Sequence, residues 1–259
     1  MLFINTRPQD RAAVLTETLQ QAGVRVLELP LLELKAAPWS QDLAQLYSAL
    51  LYAQVIVVVS PSAVHMGMAG LAQAGLKIEQ LKQIHWIAVG QATANTLADY
   101  GINSAVPEVE TSEGMLSLPI LEQLAAGATV AFWRGEGGRQ FMMQQLIDRG
   151  IHVLNFVLYH RQCPTEAEQI IKKNRTVFES SSSYCMLVTS EASWLNWLRL
   201  MQPYPQCVAD AYYLVLGERL MQLLEHYGQQ SNLELKILQL NDLNALHILQ
   251  QVRQVQGNT

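Results

Sequence analysis

The sequence repeats itself at a fixed interval of about half its length. Three pairs of landmarks share this interval: Arg7 with Arg134, Gly23 with Gly150, and Gly90 with Gly217. The arginines follow short apolar segments, the second pair ends helical segments, and the third pair follows later apolar segments. A long internal period defines the structural unit of a chain. Two similar halves, and hence two similar lobes, are therefore predicted.

The charge balance excludes a general role on polyanionic surfaces. The 259 residues include 17 Lys plus Arg against 22 Asp plus Glu, which gives a net charge of -5. A chain of this balance is not attracted as a whole to nucleic acid or to an anionic membrane. Half of its residues are hydrophobic, which is enough to bury sizeable cores. An anionic ligand must therefore be met by local groups.

No targeting, membrane or metal-binding pattern is visible. The longest apolar runs, such as 55–59, have the length of a strand, and a strand-like segment at 2–4 stands where a signal peptide would begin. A cytoplasmic protein without membrane contact is expected. The three cysteines, Cys163, Cys185 and Cys207, lack CxxC spacing, and the histidines lack the spacing of metal ligands. The sequence thus predicts neither a disulfide framework nor a metal site.

Strand and helix patterns alternate along the chain. Apolar segments at 2–5 and 24–29 flank an amphipathic segment at 11–22, and the same order returns at 130–133, 140–149 and 151–158. Two further pairs of strands are expected, each strand followed by a turn and a helix. One pair is 55–59 with 185–188, and the other is 86–89 with 213–216. The interval is slightly longer for the 55–59 pair, so a small insertion is predicted within 180–183. Such alternation indicates an α/β fold with parallel sheets flanked by helices.

The lobes do not follow the halves of the chain. The βαβ unit at 1–34 is too small to fold by itself, so it is expected to complete a sheet built by the C-terminal part. The first lobe is predicted to contain residues 1–34 and 162–259, and the second lobe residues 38–159. Segments 35–37 and 160–161 are the predicted crossings.

A series of short motifs carries a family resemblance that covers nearly the whole chain. In chain order they are Thr6-Arg7-Pro8, Val26-Leu27-Glu28-Leu29-Pro30-Leu31-Leu32, Ser60-Pro61-Ser62-Ala63-Val64, Ala88-Val89-Gly90-x-Ala92-Thr93-Ala94, Thr111-Ser112-Glu113-Gly114-Met115-Leu116, Arg134-Gly135-Glu136-Gly137-Gly138-Arg139 and Val157-Leu158-Tyr159-x-Arg161. Each motif is weak alone, but their shared order is specific. The chain resembles the uroporphyrinogen-III synthase family.

The resemblance implies two similar α/β lobes joined by a two-stranded connection, and a reaction without a cofactor. Linear hydroxymethylbilane loses its hydroxyl group, ring D is inverted through a spirocyclic intermediate, and the macrocycle closes as uroporphyrinogen III. It further implies a place in tetrapyrrole (haem) biosynthesis. A monomer in transient contact with hydroxymethylbilane synthase is expected, with no nucleic-acid or membrane partner.

The resemblance also implies the site residues. Tyr159 matches the tyrosine to which the family assigns the proton donor, and a phenol suits that task. The substrate is a polycarboxylate, and helix N-termini after strands are suited to bind anions. The predicted substrate-binding residues are Arg7, Ser60, Ser62, Gly90, Thr93, Ser112, Arg134, Gly135, Arg139 and Ser190.

The C-terminal part departs from the family pattern. Gly217-Glu218-Arg219-Leu220-Met221 stands where the family commonly has Gly-Pro-Thr-Thr-Ala, and Glu191 stands where proline is usual. No site residue is therefore carried over to 218–221. This departure keeps open a non-catalytic, bilobed tetrapyrrole-binding or regulatory module. A sugar- or amino-acid-binding protein is a third reading, disfavoured by the motif order. Nucleotide binding is disfavoured because the glycines at 135–138 lack GxGxxG spacing.

Overall fold

The computed structural model describes residues 1–137, 140–180 and 184–257. Its strands and helices, in chain order, are β1 (Leu2–Asn5), α1 (Gln9–Gln21), β2 (Arg25–Glu28), β3 (Glu33–Ala36), α2 (Gln41–Leu50), β4 (Val55–Val58), α3 (Pro61–Gln73), β5 (His85–Ala88), α4 (Gln91–Ala98), α5 (Ser112–Leu116), α6 (Pro119–Glu122), β6 (Thr129–Gly135), α7 (Phe141–Asp148), β7 (His152–Gln162), α8 (Glu166–Lys173), α9 (Arg175–Ser180), β8 (Tyr184–Val188), α10 (Glu191–Met201), α11 (Pro205–Ala209), β9 (Ala211–Leu216), α12 (Glu218–Ser231), β10 (Lys236–Leu240) and α13 (Ala245–Gly257).

The chain forms two compact units. Unit 1 contains Met1–Glu33 and Gln162–Thr259, and unit 2 contains Leu34–Arg161. Unit 1 has a five-stranded sheet in the order β2-β1-β8-β9-β10, and unit 2 has one in the order β3-β7-β6-β4-β5. The registered pairs within both sheets are parallel. The α/β class with parallel sheets flanked by helices, predicted from the alternating pattern, is confirmed.

The internal repeat extends to the register of the strands. Phe3 pairs with Val26 in unit 1, and Val130 pairs with Val153 in unit 2, so both partners shift by the interval that separates Arg7 from Arg134. The β1–β8 pair corresponds to β6–β4 and the β8–β9 pair to β4–β5. The order β2-β1-β8-β9 of one sheet is therefore the order β7-β6-β4-β5 of the other.

Burial explains why the central strands consist of consecutive apolar residues. Every residue of β4 and of β8 is buried, because helices cover both faces of a parallel sheet. On α10, Trp194 and Trp197 lie three residues apart on the buried face and are 1% and 0% exposed. They form part of the core of unit 1. Cys185 and Cys207 are buried there as well.

Two glycines of the repeat have the same backbone role. Gly23 and Gly150 follow α1 and α7 with φ of 80° and 76°, a left-handed conformation that side chains with a Cβ rarely adopt. The backbone can therefore turn at once into β2 and β7. This is the physical reason that glycine recurs at this point in the repeat.

Some elements extend beyond the sequence prediction. β7 runs through Gln162, past the predicted end at 158, and β3 lies beside it, with the Ala37 N–H donating to the Leu158 carbonyl at 2.8 Å. The chain passes between the two units within these two strands. Most of the insertion predicted at 180–183 lies outside the described residues. Within the described part of the chain, no helix is long and apolar enough to cross a membrane.

Candidate active site

A cavity of about 390 Å³ opens in unit 2 where β4, β5, β6 and β7 end. The carboxyl ends of parallel strands are the usual place for ligands in open α/β sheets. Its lining residues are Val59, Ser60, Val89, Glu110, Thr111, Ser112, Met115, Phe132, Arg134, Gly135, Gly137, Met142, Met143, Tyr159 and Arg161. A cavity of about 620 Å³ in unit 1, near the end of α12, has two glutamates and no cationic side chain among the described residues that line it. The smaller cavity is therefore the better candidate for an anionic ligand.

Ser60 marks the turn from β4 into α3. Its backbone is extended, with φ of -168° and ψ of 158°, and its hydroxyl oxygen accepts a hydrogen bond from the Ala63 N–H at 3.1 Å. Serine at this position satisfies one of the N–H groups that a helix leaves unpaired at its start, and Pro61 suits the first helical position. The same hydroxyl lies 3.0 Å from the Tyr159 hydroxyl. One side chain therefore connects α3 to the tyrosine.

Tyr159 is buried on β7, with 2% of its surface exposed. Its carbonyl accepts a hydrogen bond from the Glu136 N–H at 2.7 Å, and the β6–β7 register shifts between Arg134 and Gly135. A Cβ atom on Gly135 would lie 2.2 Å from the tyrosine ring, so only glycine leaves the ring this space. The irregularity in the sheet and the glycine together fix the position of the ring.

Arg134 is a buried cation that lies in the same cavity. It is 6% exposed, its Nε donates to the Gly135 carbonyl at 3.2 Å, and its Nη1 lies 3.9 Å from the Met143 sulfur. Among residues 1–137, 140–180 and 184–257, no ion pair includes it. Burial lowers the pKa of the Arg134 guanidinium, and Tyr159 partly offsets this effect. A buried charge without a counter-ion is costly, so an anion in the cavity would be stabilised there.

Two further charged side chains line the cavity. The Arg161 guanidinium lies 5.6 Å from the centre of the Tyr159 ring and donates to the Glu136 carbonyl at 3.1 Å. The Glu110 carboxylate accepts a hydrogen bond from the Gln91 N–H at 2.8 Å, at the start of α4. The described lining therefore presents two guanidinium groups and one carboxylate, an arrangement that favours an anionic ligand.

The cavity brings together five of the residues predicted from the sequence: Ser60, Ser112, Arg134, Gly135 and Tyr159. Ser112 begins α5, and Thr111 caps that helix by accepting from the Gly114 N–H. Three other predicted residues of unit 2, namely Ser62, Gly90 and Thr93, are not among the lining residues. Arg139 lies outside the described residues.

Gly90 has a different neighbour from the one expected. A Cβ atom there would lie 2.3 Å from the Glu110 carboxylate, so the glycine makes room for the protein's own acidic group. Thr93 is buried, and its N–H donates to the Gly90 carbonyl at 3.1 Å. The backbone N–H groups at this turn, which the sequence suggested as donors to a ligand, therefore donate to oxygen atoms of the protein itself.

The remaining two predicted residues belong to unit 1. Arg7 follows β1, is half-buried, and its N–H donates to the Asn5 side-chain oxygen at 3.3 Å. Ser190 caps α10 by accepting from the Ser193 N–H at 3.2 Å. Where unit 1 departs from the family pattern, Arg219 and Glu191 form an ion pair of 3.1 Å. A role of Arg7 and Ser190 in substrate binding stays a prediction.

Sequence reasoning assigned no role to Arg161 or Glu110. Arg161 follows Tyr159 by two residues on the same strand, so alternation along β7 was a usable signal that both face one side. Glu110 had no such signal, because its partner Gln91 lies 19 residues away in sequence. After α4 the chain pairs again with β5 through an isolated parallel bridge between Ile87 and Ala105. Glu110 follows this bridge by five residues and so lies near the start of α4.

The histidine nearest the tyrosine in sequence has another partner. His160 Nδ1 lies 2.9 Å from a Glu136 carboxylate oxygen, and the two side chains are partly exposed. Among the described residues, His160 therefore forms its side-chain hydrogen bond with Glu136 and not with the neighbouring Tyr159. In that same part of the chain, no cluster of His, Cys, Asp and Glu could hold a metal ion.

Fold and cavity together define an α/β protein of two repeated units, with a pocket that is lined by a buried arginine and a buried tyrosine. A family model described as uroporphyrinogen-III synthase HemD matches residues 13–241. The chain belongs to the uroporphyrinogen-III synthase family, as the order of its motifs predicted.

Individual relatives agree with this assignment. The chain is 27% identical to the uroporphyrinogen-III synthase of Escherichia coli K12 over 251 residues, which cover 95% of this chain and 98% of the relative. Identity to the Salmonella typhimurium protein of the same name is 26% over 257 residues, with the same coverage.

Solved structures share the fold at lower identity. A mutant uroporphyrinogen III synthase from Thermus thermophilus superposes with a TM-score of 0.61 at 14% identity, covering 100% of both chains. The Helicobacter pylori 26695 synthetase gives a TM-score of 0.55 at 16% identity, covering 96% of this chain and 97% of the other.

Proposed function

We propose that this protein is a uroporphyrinogen-III synthase, a lyase that cyclises hydroxymethylbilane with inversion of ring D in tetrapyrrole biosynthesis. Family membership supports the activity. The observation that carries the site is the buried Arg134, which has no ion-pair partner in the described part of the chain, beside Tyr159 in one cavity. These two groups supply what the reaction requires, namely a counter-ion for a carboxylate and a proton donor for a leaving hydroxyl group.

Substrate binding is assigned to the charged and polar lining of this cavity. Hydroxymethylbilane is a polycarboxylate, and a chain of net charge -5 does not attract it as a whole. Arg134 and Arg161 provide positive charge in the lining, and Ser112 adds a hydroxyl group there. An arginine fork binds a carboxylate through two parallel hydrogen bonds. We therefore assign to this cavity a carboxylate of the substrate.

The wider set of binding residues remains a proposal. It includes the predicted residues that are not part of this lining: Arg7, Ser62, Gly90, Thr93, Arg139 and Ser190. A monomeric state, a cytoplasmic location and a transient contact with hydroxymethylbilane synthase likewise stay predictions.

Tyr159 is the proposed proton donor for the first step. Its O–H bond breaks as the C–O bond of the substrate's hydroxymethyl group breaks, and the proton and the departing oxygen leave as water. The pyrrole takes the positive charge and the phenol oxygen the negative charge. Cyclisation follows, and the loss of a proton from the cyclised intermediate returns the phenol to its starting state. The protein supplies position and a proton, and no cofactor enters this step.

The test is a coupled assay with the full chain. Supplied with hydroxymethylbilane, the protein is expected to form isomer III in excess of the isomer I that forms spontaneously, with the two isomers resolved by chromatography. A non-catalytic tetrapyrrole-binding module would retain uroporphyrin III without raising the yield of isomer III. That result would contradict the proposed enzyme activity and favour the non-catalytic binding or regulatory module.

A further inference from the structure

The Ser60 hydroxyl takes part in two hydrogen bonds with different partners. Its oxygen accepts from the Ala63 N–H at 3.1 Å, and it lies 3.0 Å from the Tyr159 hydroxyl oxygen. Both side chains line the same cavity. A serine that only caps a helix needs the first of these contacts and not the second.

The direction of the second hydrogen bond decides what the tyrosine can do. A serine hydroxyl has one proton to donate and two lone pairs, and a phenol also has one proton. If Tyr159 donates to Ser60, the phenol proton is held by the serine. If Ser60 donates to Tyr159, the phenol proton is free to move to a substrate. The Ala63 N–H favours the second arrangement, because a hydroxyl that accepts a hydrogen bond becomes a better donor.

We propose that Ser60 is a positioning residue for the Tyr159 proton rather than a ligand of the substrate. Its hydroxyl donates to the phenol oxygen, directs the phenol proton towards the cavity, and stabilises the phenolate once the proton has left. This role rests on the proposed function, in which Tyr159 is the proton donor.

The N-terminus of α3 strengthens this role. The helix has 13 residues, and Ser60 stands directly before its first turn. The aligned peptide dipoles make a helix N-terminus positive, so negative charge close to it is stabilised. Ser60 links that end of the helix to the phenol oxygen through one hydroxyl. The Arg134 guanidinium in the same cavity acts in the same direction.

Hydroxyl removal separates this role from substrate binding. In Ser60→Ala and Ser60→Gly, the tyrosine loses its donor, and we expect kcat to fall about 10- to 100-fold, the effect of one hydrogen bond to a charged group. KM for hydroxymethylbilane and the affinity for uroporphyrin III should change less than about twofold. Glycine is included because it preserves helix capping better than alanine. Ser60→Thr retains the hydroxyl and should restore most of kcat.

A second serine in unit 2 controls for the loss of a helix cap. Ser40 begins α2 and accepts from the Leu43 N–H at 3.1 Å, but it does not line the cavity. Ser40→Ala should lower the melting temperature about as much as Ser60→Ala while kcat stays at the wild-type value. Equal kcat for the Ser40 and Ser60 variants would overturn the proposal and leave Ser60 as a cap.

The double variant with Tyr159→Phe gives the decisive comparison. Without a phenol oxygen to position, Ser60→Ala should lower kcat no further, so the two losses should be strongly non-additive. If Ser60 binds a substrate carboxylate instead, its removal raises KM and does so equally in the Tyr159→Phe background. Either additive losses or a change confined to KM would overturn the positioning role.

The outcomes also distinguish this inference from the proposed function. If the wild-type chain forms no excess of isomer III, the proposed enzyme activity fails, and the proposed role fails with it. If the wild-type chain is active and the Ser60 variants retain full kcat, only the positioning role fails.

Discussion

The two units share strand order and register, yet the cavities at their strand ends have opposite charge. In unit 2 the described lining contains Arg134, Arg161 and one glutamate. In unit 1 a cavity of about 310 Å³ lies beyond the ends of β1 and β2 and is lined by Gln9, Glu28, Pro30, Leu32, Glu33, Pro164, Glu166, Ala167 and Ile170. These described residues include three glutamates and no cation, which is unfavourable for a polycarboxylate. A repeated backbone therefore does not imply a repeated binding site.

The length of one strand explains why the repeated arginines differ. β1 ends at Asn5, so Arg7 lies two residues beyond it and is half-buried. β6 continues to Gly135, so Arg134 is held inside the strand and is buried. The same sequence landmark therefore occupies two environments, and in unit 2 it places a buried cation beside a tyrosine.

The largest expected effect follows from loss of the phenol in unit 2. Tyr159→Phe should lower kcat about 10- to 1000-fold, because it removes a proton donor. The fold should remain. The matched variant is Tyr213→Phe in unit 1, where the buried hydroxyl donates to the Val208 carbonyl at 2.7 Å. It should lose about 2 to 4 kcal/mol of stability without loss of kcat, because the Val208 carbonyl and the Trp197 N–H, which donates to this hydroxyl at 3.2 Å, both lose a buried partner. Steady-state kinetics measure kcat, and urea unfolding measures the stability of each variant. Wild-type kcat in a folded Tyr159→Phe variant would exclude Tyr159 from the proton-donating step.

The repeated arginines provide the next test of the comparison. Arg134→Met should weaken binding of uroporphyrin III about 10- to 100-fold, because a charged hydrogen-bonding group is lost. Its melting temperature should stay the same or rise, since the variant no longer buries this charge. Arg7→Met should weaken binding less than about threefold, the effect expected for a more solvated charge. Equal losses in a fluorescence titration would contradict the contrast between the two units.

A smaller effect should follow from a methyl group against the tyrosine ring. In Gly135→Ala the new Cβ would require the ring to move, since the two would otherwise lie 2.2 Å apart. We expect kcat to fall about 10-fold, because a small misplacement of a reacting group is costly. Gly67→Ala is the control, since its Cβ would lie 2.1 Å from the Trp133 ring, away from the cavity. It should lose stability but keep kcat per folded molecule. Unchanged kcat in Gly135→Ala would show that the ring position is not critical.

The smallest effect concerns the Glu110 carboxylate in the unit 2 cavity. Glu110→Gln keeps an oxygen for the Gln91 N–H but removes a negative charge, so affinity for uroporphyrin III should rise about threefold, within the range for exposed charge pairs. Glu108→Gln makes the same charge change in the same loop, outside the cavity lining. It should leave affinity unchanged at equal salt concentration, as should Glu166→Gln in unit 1. Equal gains in all three variants would indicate an effect of net charge alone.

Sequence predicted the parts of the fold that depend on local pattern. The apolar runs at β4 and β8 are buried throughout, so their composition alone identified them. β3 has no buried residue, so the local pattern did not predict it as a strand, and only the family resemblance implied a two-stranded connection there. The repeat predicted the similarity of the units, since it reflects backbone register.

The site was less predictable for a physical reason. Tyr159 and Ser60 were identifiable because each belongs to one of the short motifs that carry the family resemblance. Their hydrogen bond joins residues 99 apart in sequence, and the contact of Glu110 with α4 depends on the path of a loop. Local pattern does not encode such distances, so the roles of these residues required the structure.

The discontinuity of unit 1 has a consequence for synthesis on the ribosome. Unit 2 is one continuous segment and can fold as soon as it has left the exit tunnel, whereas β1 must wait for β8 to emerge. At about 5 to 20 residues per second this delay is on the order of ten seconds. Throughout it, Leu2, Phe3 and Ile4, which are buried in the finished sheet, are open to chaperones and to neighbouring nascent chains. Of the two segments of unit 1, the one made first is thus the one that needs protection for longest.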